Sequence, residues 1–90
     1  MRICRDHDLG AEEAKSRVQR VAVTLEERFS LRSEWRGYQL QFKGSGVNGQ
    51  IAVSDSDIEL NIRLGLALMF MESAIRSAIE DALDSEIGNA

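Results

Sequence analysis

Apolar residues recur at helical spacing near both ends of the chain and alternate with polar residues between them. Steps of three and four predict an amphipathic helix ending at about Phe29 with one buried stripe: Ala11, Ala14, Val18, Val21, Ala22, Leu25 and Phe29. A second helix is predicted from about Leu66 to Ile87, with Gly88 placed to stop it. Its main stripe is Leu68, Met71, Ile75, Ala78, Ile79 and Ala82.

Period-two alternation through residues 31–64, with a short strand at residues 2–7, predicts an antiparallel sheet with one apolar and one polar face. A turn is expected at Arg36-Gly37. Residues 1–90 are therefore expected to form a single small α+β domain of two layers. An antiparallel sheet of about four to five strands would carry two helices on one face, in the order β-α-β-β-β-β-α.

The segment Gly44-Ser45-Gly46-Val47-Asn48-Gly49 has the glycine spacing of a nucleotide-binding loop. A dinucleotide site requires a helix directly after the loop, whereas Gln50 to Ser54 has the alternation of a strand. A kinase requires a lysine on a later strand, and no lysine follows Lys43. The pattern therefore predicts a glycine-rich hairpin connection.

Composition and charge narrow the functional classes. The formal net charge is −4, and it is uneven: residues 1–45 carry nine Lys/Arg and seven Asp/Glu, whereas residues 46–90 carry two and eight. An acidic carboxyl-terminal half disfavours wrapping of nucleic acid. The charged amino-terminal residues do not have the pattern of a signal peptide, and no apolar run is long enough to span a bilayer, which favours a cytoplasmic protein.

Catalytic and metal-binding patterns are absent from the sequence, and no cofactor is expected. His7 and Cys4 lie three residues apart on a strand, hence on opposite faces, which disfavours a Cys–His dyad. Asp55-Ser56-Asp57 does not have the remainder of a calcium loop and is typical of a turn. The polar sheet face has no aromatic residues for base stacking. We therefore expect the protein not to be an enzyme.

The beginning of the last helix is apolar on nearly every side, because Leu66, Met69 and Phe70 lie off its main stripe. Such a segment is either buried on all sides or contacts a partner. Three interpretations stay open here: burial between the sheet and the first helix, a homodimer interface, or a surface for a hydrophobic target.

An alternative function is binding of a small hydrophobic ligand. A curved sheet against a long helix can enclose an apolar cavity. The aromatic residues Trp35, Tyr38 and Phe42 are the predicted lining of that cavity.

Several motifs in order resemble the polyhydroxyalkanoic acid system family. These are His7-x-Leu9-Gly10-x-Glu12-Glu13-Ala14, Phe29-Ser30-Leu31, Trp35-Arg36-Gly37, Gly46-Val47-Asn48-Gly49-Gln50-Ile51 and Leu64-Gly65. The resemblance covers roughly residues 2–83, and the segment 84–90 matches nothing typical of the family. Where this chain has Gly-Val-Asn-Gly, the family pattern has Gly-Val-Asp-Gly.

The resemblance implies a short bacterial protein associated with polyhydroxyalkanoate storage granules. It supplies no catalytic residues. The implied function is that of a non-enzymatic accessory protein that binds the granule surface or granule proteins, located in the cytoplasm and at storage granules.

Overall fold

The computed structural model describes residues 1–87. It shows a five-stranded antiparallel sheet with the helices packed on one face. The strands are ordered β1-β5-β4-β3-β2, so the first strand pairs with the last. The elements are β1 (Arg2–Asp6), α1 (Ala11–Phe29), β2 (Arg32–Arg36), β3 (Gln39–Gly44), β4 (Val47–Val53), β5 (Asp57–Leu64), α2 (Leu66–Met69) and α3 (Glu72–Ile87). The predicted α+β class and element order are confirmed.

The core lies between the helices and the inward face of the sheet. The register pairs Leu40 with Ile51 and Ile51 with Leu60, so apolar side chains of three neighbouring strands stack directly across the sheet. These residues are buried together with the stripes of both long helices. The opposite face of the sheet carries polar and charged side chains, as the alternation predicts.

Helix α1 begins and ends where its sequence pattern predicts. Gly10 is its N-cap and has no side chain to satisfy the first amides. Asp55, from the loop between β4 and β5, supplies that acceptor: its Oδ1 accepts the Ala11 amide at 3.1 Å. At the other end, Ser30 has a left-handed backbone (φ 54°), which terminates the helix.

The second predicted helix is interrupted. The chain forms the four-residue helix α2, turns at Phe70-Met71, and starts α3 at Glu72. The amide of Gly65 donates to the carbonyl of Gly46 at 2.8 Å, which attaches the start of α2 to the end of the sheet. Helix α3 instead packs beside α1 through side chains four residues apart: Ile75, Ile79, Leu83 and Ile87.

The prediction of one continuous stripe was therefore wrong at Met71, which is exposed, while Leu83 joins the core. The stripe breaks because residues 70–71 form a turn between α2, which is bonded to the end of the sheet, and α3, which packs beside α1. The predicted stop residue, Gly88, lies outside the described residues.

The glycine-rich segment is a hairpin, as predicted, but a shorter one. Ser45 and Gly46 alone form the turn between β3 and β4, with Gly46 at φ 79°. Gly49 already pairs within β4, opposite Phe42 and Ile62. The β2–β3 turn likewise lies at Gly37-Tyr38, because Arg36 pairs with Gln39 at the end of β2.

Ion pairs connect α3 to the rest of the domain. On β1, Arg5 contacts Asp84 at 2.9 Å and Glu80 at 3.1 Å. Near the end of α3, Glu86 accepts from Arg20 at 2.9 Å, and its backbone carbonyl accepts from Arg17 at 2.8 Å. These contacts hold the carboxyl-terminal part of α3, leaving its amino-terminal neighbour α2 attached chiefly to the end of the sheet.

Candidate functional site

Helix α2 presents an apolar surface to solvent, which we call the α2 surface: Leu66, Met69 and Phe70. Leu66 is 87% exposed, Phe70 84% and Met69 54%. Monomeric soluble proteins rarely expose several large apolar side chains in one place without a binding role. Of the three sequence interpretations, the structure rules out burial of this segment between the sheet and α1.

Helix α2 presents these side chains to solvent because its opposite side is held against the sheet. Leu68 is half-buried and lies against the hairpin turn, where a Cβ added at Gly46 would be 3.3 Å from its Cδ1. Gly65 caps the turn and its amide bonds to the Gly46 carbonyl. Because Leu68 and Gly65 are held against the hairpin turn, the α2 surface has a fixed position at the end of the sheet where β5 meets α2, which we call the α2 rim.

The polar face of the sheet forms a broad open depression of about 1190 Å³ that reaches the same rim. Its charged and amide side chains are Arg32, Glu34, Arg36, Gln41, Lys43, Asn48, Gln50, Asn61, Arg63 and Glu72, and Met69 borders it. Four cations and two carboxylates face this depression, so it is cationic on a chain whose net charge is negative.

Three of those cations lie in one transverse row, which we call the basic row: Arg32, Lys43 and Arg63. The register pairs Arg32 with Lys43, Lys43 with Asn48, and Asn48 with Arg63. None of the three forms an ion pair with another described residue. Arg63 precedes Leu66 by three residues, which places the basic row beside the α2 surface.

On the opposite side of this face, Arg2 and Glu59 neutralise each other. Glu59 accepts from Asn61 at 3.0 Å and from Arg2 at 3.2 Å. The hydrogen bond from Asn61 and the bond and charge of Arg2 lower the pKa of the Glu59 carboxyl below its ordinary value. The basic row has no such local neutralisation.

A second, partly open space lies between the helices and the core face of the sheet. This apolar cavity of about 200 Å³ is lined by Leu25, Phe29, Leu31, Ser45, Val47, Ile62, Leu68, Met71, Ile75 and Ile79. Leu68 and Met71 border it from the α2 side. Its walls offer apolar contact with little polar specificity.

The predicted cavity residues do not lie together around this space. Phe42 is buried in the core. Trp35 and Tyr38 flank Lys15 of α1, whose Nζ lies 4.9 Å and 5.2 Å from their ring centroids. Trp35 Nε1 donates to Gln19 at 2.6 Å and the Tyr38 hydroxyl donates to Glu12, which braces strand β2 against α1.

His7 is a buried structural residue. Its Nδ1 accepts the Leu9 amide at 3.1 Å, so the proton of the neutral ring is at Nε2, which contacts the Ser54 carbonyl oxygen at 3.1 Å. Cys4 is exposed and lies on the other face of β1, as the parity of the strand predicts.

The two aspartates of the turn after β4 form structural hydrogen bonds. Ser54 Oγ donates to Asp57 Oδ1 at 2.7 Å and accepts the Asp57 amide, while Asp55 caps α1. Within residues 1–87, no three His, Cys, Asp or Glu side chains are grouped to hold a metal ion.

The sequence pattern singled out the three residues of the α2 surface but did not indicate the basic row. Its members are separated by eleven and twenty residues along the chain. Alternation predicts a polar sheet face, yet only the strand register shows that Arg32, Lys43 and Arg63 lie in one row across four strands.

Comparisons with known proteins identify the family of the chain. Across the described helices, none is long and apolar enough to cross a membrane. No curated protein and no solved structure shows significant similarity to the chain. The model of the family described as "Putative polyhydroxyalkanoic acid system protein" matches residues 1–87, and the chain therefore belongs to this polyhydroxyalkanoic acid system family.

Proposed function

We propose that this chain is a non-enzymatic accessory protein of the polyhydroxyalkanoate system that binds the polyester surface of storage granules, or granule proteins, in the cytoplasm. The observation that carries the proposal is the α2 surface: Leu66 and Phe70 are more than four-fifths exposed on an anchored helix turn. Family membership supplies the system in which such a surface would act.

The chemistry of the α2 surface suits a polymer interface. Burying a large apolar side chain contributes about 1.5–3 kcal/mol relative to leaving it in water. Leu66, Met69 and Phe70 together could therefore supply several kcal/mol on contact with an apolar polyester. Methionine adds a flexible, polarisable side chain that adapts to an irregular surface.

Side chains that could take part in catalysis form structural hydrogen bonds instead, and this favours binding over catalysis. Both ring nitrogens of His7 are occupied by backbone partners. The hydroxyl of Tyr38 and the carboxylate of Asp55 bond to α1 and its amino terminus. Catalysis by a nucleophile, base and orienting group would require such side chains to converge on a shared cleft.

A co-sedimentation experiment tests the proposal. The purified chain is mixed with lipid-free polyhydroxyalkanoate particles, centrifuged, and the bound fraction is measured over a range of particle concentrations. We expect binding by the parent chain and a loss of at least tenfold in affinity for the variant Leu66→Ser, Met69→Ser, Phe70→Ser. Melting followed by circular dichroism should show that this variant retains its fold, because the three side chains are exposed.

A control removes apolar surface elsewhere. Val23 on α1 is also exposed, and Val23→Ser should bind like the parent. Undiminished binding by the triple variant would contradict the α2 assignment. No binding by the parent to particles or to granule extracts would contradict the proposed function itself.

A second candidate function is binding of a short apolar ligand in the apolar cavity. The favouring observation is its apolar lining and its border at Leu68 and Met71, next to the exposed α2 segment. A cavity of about 200 Å³ admits part of a medium-length acyl chain. The polar end of such a ligand would have to lie near Ser45, the polar residue in the lining.

Emission from a tryptophan at the cavity border tests this candidate. Trp35 does not line the cavity, so the reporter is Met71→Trp in a Trp35→Phe background. Binding of decanoate should change the emission of that reporter and saturate. An unchanged emission across acyl chains of different length would contradict cavity binding.

A further inference from the structure

The α2 surface and the basic row share one rim of the molecule, and this combination identifies a more specific partner than a bare apolar solid. Arg63 is three residues from Leu66 in sequence, and Met69 borders the same depression as Arg32 and Lys43. An uncharged polymer would gain nothing from three aligned cations.

We propose that this rim docks on an anionic lipid surface, with the α2 surface inserted among acyl chains and the basic row facing the headgroups. The inference rests on the proposed function in that it uses the same α2 surface. Interfacial segments bind by combining buried apolar side chains with cationic attraction to anionic lipid. Each Lys or Arg close to such a surface strengthens binding by roughly fivefold.

Charge complementarity supports lipid as the occupant. The six charged side chains facing the depression are Arg32, Arg36, Lys43, Arg63, Glu34 and Glu72. Four cations against two carboxylates leave this face positive, whereas the whole chain carries −4. An anionic layer would therefore attract this face and repel the remainder, which orients the α2 surface toward the lipid.

Nucleic acid is a poorer match for the same surface. Single-stranded binding faces combine cations with aromatic side chains for stacking, and the lining of this depression presents no Trp or Tyr. Its one phenylalanine, Phe42, is buried in the core. Exposed Leu66 and Phe70 would also remain in water against a phosphate backbone, but not against a lipid layer.

Vesicle co-sedimentation tests the inference with the full chain. Vesicles of phosphatidylcholine alone are compared with vesicles of equal parts phosphatidylcholine and phosphatidylglycerol. We expect binding to the anionic vesicles, weaker binding to the neutral ones, and a fall with added salt because the exposed charges are screened. The variant Arg32→Gln, Lys43→Gln, Arg63→Gln should lose on the order of a hundredfold in affinity for the anionic vesicles.

A control removes the same charge from the helical layer: Arg20→Gln, Arg28→Gln, Arg76→Gln. Because it also breaks the pairs of Arg20 with Glu86 and of Arg76 with Glu80, its fold is checked by melting followed by circular dichroism. It should bind anionic vesicles much more tightly than the basic-row variant. The conservative variant Arg32→Lys, Arg63→Lys should retain binding, which separates loss of charge from loss of fold. Equal binding of the parent chain to both kinds of vesicle, or equal losses in the basic-row and control variants, would overturn the inference.

The two proposals fail in distinguishable ways. The basic-row variant should still bind lipid-free polyester particles, since the α2 surface is intact. Binding to anionic vesicles without binding to polyester would contradict the polyester contact and leave lipid docking supported. Self-association in the absence of lipid that the basic-row variant abolishes would assign the rim to a second copy of the chain and overturn the lipid assignment.

Discussion

Asp55 caps helix α1 from outside the helix: its Oδ1 accepts the backbone amide of Ala11 at 3.1 Å across 44 residues of sequence. Gly10, at the N-cap, has no side chain for this purpose. The contact joins the loop between β4 and β5 to the first turn of α1, so one hydrogen bond serves both helix initiation and the packing of the helix on the sheet.

Replacing that acceptor should destabilise the domain. Asp55→Ala leaves the Ala11 amide without its partner and is expected to lower the free energy of unfolding by about 1 kcal/mol. Asp55→Asn keeps an acceptor oxygen and should lose less. Urea unfolding followed by circular dichroism measures both values. Equal losses in the two variants would show that the carboxamide does not replace the carboxylate as a cap, contrary to this account.

The ion pairs of Arg5 should couple β1 to α3. The hydrogen bond that Arg5 donates to Asp84, opposed by partial burial and aided by Glu80, raises the pKa of the Arg5 guanidinium, which stays charged throughout the accessible range. A double-mutant cycle with Arg5→Ala and Asp84→Ala is expected to give a coupling of about 0.5–1 kcal/mol. Added salt should weaken it.

The control cycle pairs Arg5→Ala with Asp81→Ala, because Asp81 is exposed on α3 and does not bond to Arg5. Its coupling should be close to zero. A coupling to Asp84 that is no larger than this control would mean that the pair adds nothing to the docking of α3.

The strands and α1 could be predicted because their burial follows local periodicity. Alternation from Leu40 to Leu64 places each side chain on a face, and steps of three and four along α1 reproduce its buried stripe. These patterns depend on near neighbours in sequence, which is why the predicted order of elements is confirmed. A one-residue shift of the β2–β3 turn does not alter which side chains face the core.

The break between α2 and α3 could not be predicted in this way. Leu68, Met71 and Ile75 have helical spacing whether or not the helix is continuous. The deciding contacts are distant ones, such as the Gly65 amide on the Gly46 carbonyl, which determine where α2 starts. The basic row was missed for the same reason: Arg32 and Arg63 become neighbours only through the register of four strands.

The third glycine of the nucleotide-like motif has a packing role. A Cβ at Gly49 would lie 2.5 Å from the backbone oxygen of Asn61 and 2.8 Å from Ile62 Cγ1. Gly49→Ala forces β4 and β5 apart and should lower the free energy of unfolding by about 1–3 kcal/mol, as overpacking of a core does. Chemical denaturation measures this loss.

Gly65→Ala is the matched control. Its backbone has a negative φ of −69°, and an added Cβ would make only ordinary contacts, the nearest 3.5 Å away at Gly46. It should change the stability by no more than about 0.5 kcal/mol. Similar stabilities for Gly49→Ala and Gly65→Ala would contradict the close approach of β4 and β5.

Tyr38 should ionise at higher pH than an ordinary tyrosine. Its hydroxyl donates to the Glu12 carboxylate, and this hydrogen bond, followed by the repulsion between the two anions, raises the pKa of the phenol. A folded-state pKa above the unfolded value means that the contact stabilises the fold below the unfolded pKa. This stabilisation is lost as the pH rises through the folded pKa.

Because Tyr38 is the only tyrosine, ultraviolet absorbance of the ionised phenol follows it directly. Glu12→Gln should lower the midpoint toward the ordinary value, whereas Glu13→Gln, which removes the partner of Arg17, should leave it unchanged. A midpoint that does not respond to Glu12→Gln would show that the contact between the β2–β3 turn and α1 is not formed in solution.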